Sequence, residues 1–195
     1  MPKPSLRESL LEAGLAEFHT NGYAATGVAA IAQRAGGPKG SFYNHFASKE
    51  ELGLAALDSY GHSRRLDMLR DPSMPPLDRI RRHLAYLRSD LARHDFTRAC
   101  LLGTFAAESA GSKAISQAAR AGLEDWVDVL TEAIEAARHD AEFSGALPAR
   151  SLAQLIVDAW EGAALRAKAS GDPAPIDNLL ELVFGSILAA DAEKA

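Results

Sequence analysis

The chain has 195 residues, of which 47% are hydrophobic, and a formal net charge of −5, the balance of an ordinary soluble protein with one sizeable core or two small ones. It contains no run of about 18 apolar residues, and Met1-Pro2-Lys3-Pro4-Ser5 lacks a secretory stretch, so a cytoplasmic protein without membrane association is expected. Cys100 is the one cysteine, which excludes an internal disulfide framework; the six histidines show no paired metal-ligand spacing, and neither metal nor other cofactor is expected.

No segment alternates with the period of a strand, whereas helical periods recur between Pro and Gly clusters, so the fold is predicted to be all-α. A first helix spans about Ser5 to Asn21, with Leu6, Leu10, Leu11, Leu15 and Phe18 on one broad face and Asn21-Gly22 as its C-terminal stop. Thr26 stands as N-cap of a second helix reaching Ala35, whose apolar residues Val28, Ile31, Ala32 and Ala35 form a single stripe. Gly36-Gly37 permits a sharp turn and Pro38 suits the first turn of a third helix, Lys39 to Phe46. The result is a helix-turn-helix. Its second helix buries only Phe42 and Phe46 and offers the intervening polar groups to something outside, for which phosphates and base edges are fitting partners.

A fourth helix begins at Ser48, where Ser48 and Glu51 form a capping box, and is expected to run toward Arg70. Breaks follow at 71–76, at Ala110-Gly111, at 144–148 and at 170–175, leaving helices near 77–94, 98–109, 112–139, 149–169 and 176–191. The last two carry apolar stripes: Leu152, Leu155, Ile156, Ala159 and Ala163, then Leu179, Leu182, Val183, Ser186, Ile187 and Ala190. Each stripe needs a partner, either within the chain or on a second copy. Residues 1–52 hold five basic and five acidic residues, so the negative charge lies wholly in the remainder. A neutral reading head on an acidic body disfavours non-specific DNA and relies on a few placed cations.

The segment from Thr26 through Ile31-Ala32, Ala35-Gly36, Lys39-Gly40-Ser41-Phe42-Tyr43-Asn44-His45-Phe46 and Ser48-Lys49-Glu50 resembles, without gaps, the signature of the TetR family of bacterial repressors. The resemblance implies an N-terminal helix-turn-helix domain over residues 1–50 and a ligand-binding and dimerisation domain over 51–195. It implies that Thr26, Lys39, Tyr43, His45 and Lys49 touch phosphates, and that Gly37, Pro38, Ser41 and Asn44 lie where family members approach base edges. Gly40 lets the backbone come close to DNA, and Asn44 has the groups to read adenine bidentately. Gly37 stands where the family more often has Val, and Asn44 where a second aromatic residue is frequent. A homodimer is implied, formed through the helices near 149–169 and 176–191 and addressing a near-palindromic double-stranded operator with half-sites one DNA turn apart.

The resemblance also implies a small-molecule effector bound among the middle helices. Candidate wall residues are Tyr60, Tyr86, Phe96, Cys100, Phe105, Trp126 and Trp160. The stretch Thr97-Arg98-Ala99-Cys100-Leu101-Leu102-Gly103 resembles the start of the sixth helix in the electrophile-sensing, NemR-like branch of the family, and Lys168 resembles a lysine of that branch. A thiol at a helix N-terminus beside Arg98 is favoured as thiolate, which makes Cys100 a candidate sensor. The alternative is a purely non-covalent effector with Cys100 an inert, small buried hydrophobe. An enzyme is not expected: the chain has no Gly-rich phosphate loop, no nucleophile elbow and no paired acid and base, and Cys100 with His83 or His94 is a weak imitation of a thiol hydrolase. A purely structural helical protein would account for the stripes but not for Lys39, Tyr43, His45 and Lys49.

Overall fold

The computed structural model describes residues 5–108 and 111–189, which are helical and contain no strand. Nine α-helices occur among them: α1 (Leu6–Ala25), α2 (Val28–Arg34), α3 (Lys39–Phe42), α4 (Lys49–Ser63), α5 (Pro76–Ala92), α6 (Leu101–Glu108), α7 (Lys113–His139), α8 (Ala149–Ser170) and α9 (Ala174–Leu182). The packing forms two compact units, residues 1–63 with 101–122 and residues 64–100 with 123–195. α4 therefore packs with the first unit, whereas the boundary expected from the family resemblance is at residue 50.

In the first unit α1 is secured at its start by Ser5, whose hydroxyl accepts from the Glu8 amide while the Glu8 carboxylate accepts from the Ser5 amide. Gly22 interrupts α1 with φ 77°, as a glycine stop should, but one further turn continues to Ala25. Thr26 consequently ends α1 instead of opening α2; the residue before α2 is Gly27, which has no side chain to cap with. Phe18, Tyr23 and Phe105 join α1 to α6, with Phe105 centred 5.1 Å from each of the other two rings. At α4 the Ser48 hydroxyl accepts from the Glu51 amide as expected, while the Glu51 carboxylate reaches the amide of Ala47, one residue earlier than a capping box would place it.

α4 stops at Ser63, short of the expected Arg70. The Ser63 hydroxyl donates to the Tyr60 carbonyl, Arg65 takes a left-handed conformation (φ 57°), and Leu66–Arg70 is a 3-10 turn. The final helix also departs from a regular rod, since α9 passes at Val183 into a π-type turn closed by the Leu188 amide on the Val183 carbonyl, 2.7 Å away. Ala110 and Ala190, expected at a break and on the last stripe, lie outside the described residues.

The second unit is built on a core in which α5 contributes Ile80, Leu84 and Leu87, α7 Leu130 and Ile134, and α8 Leu152, Ile156 and Ala164. Leu152, Ile156 and Ala163 of the α8 stripe thus face their own chain, and so does Val183. A neighbouring strip of the same two helices is bare: Leu155, Leu165 and Leu182 are 48%, 62% and 58% exposed.

Gly22 has no room for a side chain. An added Cβ would sit 2.2 Å from a Glu108 carboxylate oxygen, in a backbone conformation that L-residues resist. Gly22→Ala is expected to lower unfolding free energy by roughly 1–3 kcal/mol, whereas Gly61→Ala, in open space within α4, should raise it by about 0.5–1 kcal/mol. Denaturant titration of the two variants checks the contrast.

Candidate nucleic-acid interface and effector site

The helix-turn-helix lies in the first unit. Ile31, Ala32, Phe42 and Phe46 are buried, so α2 and α3 are fixed by an apolar underside, with the Arg7 guanidinium 4.8 Å over the Phe46 ring. Gly36 turns the chain at φ 76°, and Gly37 lies where a Cβ would come within 2.8 Å of the Ser41 hydroxyl. α3 is only four residues long, but the amides of His45 and Phe46 both donate to the Phe42 carbonyl and carry a helical turn onward. Pro38, Lys39, Gly40, Tyr43 and Asn44 are exposed, Gly37, Ser41 and His45 half-buried. The Ser41 hydroxyl donates to the Pro38 carbonyl at 2.7 Å. Tyr43 stands edge-on against Phe42 and projects outward. These side chains form one displayed surface of hydroxyl, ammonium, amide and imidazole groups, the donor set that phosphates and base edges require.

Thr26 and Lys49 are employed differently. The Thr26 side chain is buried and donates to the Gly22 carbonyl at 2.6 Å. The Lys49 ammonium donates to the carbonyls of Tyr23, Ala24 and Thr26 at 2.9, 3.3 and 3.0 Å and lies 4.5 Å over the Tyr23 ring. An ammonium has three donors, and all three are used on the end of α1. Glu108 completes the arrangement by accepting from the Ala24 amide at 3.0 Å. Two of the five residues expected at phosphates from the family signature are thus engaged with backbone carbonyls at the end of α1.

The second unit contains an unexpected polar cluster in its apolar core. Arg64 is buried and pairs with Asp90 at 2.6 Å. His83 on α5 is wholly buried, and neither ring nitrogen makes a well-formed hydrogen bond. Burial, aided by the charge of Arg64, lowers its pKa to about 4, against a small opposing influence of the Arg65 backbone. His83 stacks edge-on against Trp126 of α7 at 5.8 Å, and Trp126 against Trp160 of α8 at 6.2 Å. The Trp126 indole N–H has no acceptor. Beside Trp160, Glu161 is pushed above the ordinary carboxylate range by burial, opposed by its hydrogen bond with Cys100 and by the charge of Arg64.

Of the expected effector residues, this cluster gathers Cys100, Trp126 and Trp160. Cys100 is buried, and the side chain it meets on α8 is Glu161, seven residues before Lys168. Arg98, expected to favour thiolate, directs its guanidinium to His94 at 3.0 Å. Phe96 lies under Arg88, 5.9 Å from its ring, and Tyr86 under Arg93. Phe105 is core of the first unit against Phe18 and Tyr23, and Tyr60, also of that unit, packs edge-on against His19. The sequence carried a signal for His83, which interrupts the apolar stripe of α5 between Ile80 and Leu84; it carried none for Arg64 or Glu161, whose burial depends on where α4 stops and how α8 is rotated.

Residues 10–56 match the bacterial regulatory proteins of the tetR family, and residues 76–181 match the C-terminal domain of LmrA/YxaF-like transcriptional regulators. The chain belongs to the TetR family. It is 36% identical over 180 residues to the transcriptional regulator AcuR of Cereibacter sphaeroides, covering 90% of this chain and 82% of AcuR. The HTH-type transcriptional repressor DhaR of Mycobacterium sp. strain GP1 is 31% identical over 195 residues, with 96% and 95% of the two chains covered. The crystal structure of reduced NemR from E. coli superposes with a TM-score of 0.81 at 30% identity over 96% of this chain and 98% of that one, in keeping with the resemblance to the NemR-like branch. The protein is a DNA-binding transcriptional regulator of this family, not an enzyme. No helix of the described residues is long and apolar enough to cross a membrane.

Two outcomes follow from these side chains. Lys49→Ala should cost roughly 1–3 kcal/mol of stability, because charge-assisted bonds to three carbonyls are lost, while Lys39→Ala on the open surface should change it by less than about 0.5 kcal/mol; thermal melts of both variants decide. For His83, the unfolded chain takes up a proton below pH 6.5 that the folded chain refuses until about pH 4, so stability is complete above that window and falls with pH through it. The loss attributable to His83 reaches about 3 kcal/mol at pH 4. His83→Gln lacks it, so the stability difference between wild type and variant should shrink by that amount between pH 7 and 4; the opposite shift of Glu161 is common to both proteins and cancels.

Proposed function

We propose that the protein is a repressor that binds a near-palindromic operator as a homodimer and leaves it when a small effector enters the second unit. The observation that carries the DNA reading is the displayed set Gly37, Pro38, Lys39, Gly40, Ser41, Tyr43, Asn44 and His45 above a buried Phe42 and Phe46. Lys39, Tyr43 and His45 supply phosphate contacts; Gly37, Pro38, Ser41 and Asn44 face base edges, and Thr26 and Lys49 keep the frame that holds them. The copies meet through α8 and α9, whose bare strip combines Leu155, Leu165 and Leu182 with Gly162 and Gly185, each glycine facing open space. Apolar side chains beside glycines are suited to close helix packing, and two reading heads about 34–36 Å apart then address successive DNA turns. Repression accords with the DhaR relative, whose name describes a repressor.

Release requires an effector with different affinity for the DNA-binding and released conformers. Alkylation or oxidation of Cys100 is one such event, aided by Lys168 if it approaches the thiol in the reactive conformer. A reversible ligand among Trp126, Trp160 and Phe96 is the other, and the burial of Cys100 against Glu161 favours it. The burial that holds Glu161 toward its neutral form disfavours a thiolate beside it as well.

A gel-shift on the DNA upstream of the gene, with and without N-ethylmaleimide and with Cys100→Ser alongside, tests both. Retained binding by wild type and variant in the reagent removes the thiol switch and leaves the reversible effector; release confined to the wild type establishes the thiol switch. Failure to bind that DNA or a selected operator sinks the repressor reading.

A further inference from the structure

Among the buried polar groups of the second unit without a well-formed hydrogen bond are the ring nitrogens of His83 on α5, on which the Arg65 backbone acts, the indole N–H of Trp126 on α7 and one carboxyl oxygen of Glu161 on α8. A buried polar group left unsatisfied loses its hydration without replacement, so their coincidence in an otherwise apolar core calls for an occupant. They belong to one neighbourhood. The His83 and Trp126 rings are 5.8 Å apart, Trp126 and Trp160 6.2 Å, Glu161 follows Trp160 in sequence, and the charge of Arg64 acts on both His83 and Glu161.

The charges already present decide what kind of molecule fits. Arg64 is matched by Asp90 at 2.6 Å, and Asp90 also holds Arg93 at 2.6 Å. Burial drives both remaining titratable groups toward neutrality, His83 by lowering its pKa and Glu161 by raising it. With Arg64 committed to Asp90 and Arg93 lying largely in solvent, a charged guest would meet no uncommitted counter-ion in a region of low dielectric. A neutral guest meets complementary groups: an acceptor for the Trp126 N–H, and a group that both donates and accepts between His83 and Glu161. Two indoles provide the apolar wall for its carbon skeleton.

We infer that His83, Trp126 and Glu161 form the recognition site for a small uncharged polar compound, one bearing a hydroxyl or amide on a short carbon chain. This rests on the effector reading above and gives that effector its chemical class. Cys100, which is hydrogen-bonded to Glu161, positions the carboxyl through its thiol and is not required to react.

Trp126 and Trp160 are the two tryptophans of the chain, so intrinsic fluorescence reports on the site directly. The full-length protein is titrated with four three-carbon probes of similar size: 1-propanol, propionamide, propionate and propylammonium. The expected result is a saturable fluorescence change with propionamide or 1-propanol, at least tenfold weaker for both ions. His83→Met should abolish it. Trp126→Phe keeps the ring and leaves Trp160 as reporter, so it weakens saturation about tenfold even if His83→Met fails to fold. Tighter binding of either ion, or no saturable change with any probe, overturns the inference, the latter meaning that ordered water fills the site. A gel-shift run on the same sample separates the two levels. Intact operator binding beside silent tryptophans removes this site alone, whereas absent operator binding removes the regulator reading on which it rests.

Discussion

The reading head depends on how α1 is brought to an end. The end of a helix leaves carbonyls without intrahelical partners, and carbonyls left unpaired away from water are costly. Here Gly22 turns the chain, and the exposed carbonyls are taken up by Thr26 and by the ammonium of Lys49, while the Ala24 amide is taken by Glu108. The closing bonds come from α4 and α6, so the position of the helix-turn-helix is tied to both elements within its own unit. A cation serving as a strut is a different economy from a cation serving as a ligand, and it leaves Lys39 as the ammonium displayed on the recognition turn.

The second unit follows an opposite logic. Its core is dense with leucine, isoleucine and alanine, yet it buries Arg64 and His83, with Asp90 and Glu161 half-buried at its margin. A core chosen for stability alone would replace such groups by apolar ones of equal volume at little cost or some gain. Their retention, with several hydrogen-bonding groups left unmatched, is what a site for a polar guest requires, and it sets a limit on the stability that this unit attains at low pH through His83.

Much of the fold was legible in advance because it is written in local chemistry: helical period, Gly-Gly-Pro turn, Ser48 with Glu51, and Phe42 with Phe46 as the buried pair. The points missed depend on rotation and long-range pairing. Thr26 is equally good as the cap of α2 or as the end of α1, and only the extra turn after Gly22 decides. α4 has a period that continues past Ser63, but Arg64 finds Asp90 and Arg65 turns left-handed. In α8 one apolar stripe looked like an intersubunit face, yet Leu152 and Ile156 are internal and the bare strip lies beside them, a rotation that periodicity alone leaves open. Cys100 was visible as an isolated thiol, whereas its neighbour Glu161, 61 residues away in sequence, was not.

The central claim is that DNA affinity arises from the displayed turn while Lys49 holds it in place. The most direct test is the salt dependence of operator binding for wild type, Lys39→Ala and Lys49→Ala, measured at a temperature where all three are folded. Lys39→Ala should reduce the slope of log affinity against log salt by about 1 per reading head, with Lys49→Ala leaving it near the wild-type value. A slope lowered by Lys49→Ala and untouched by Lys39→Ala would contradict the account and return Lys49 to the phosphates.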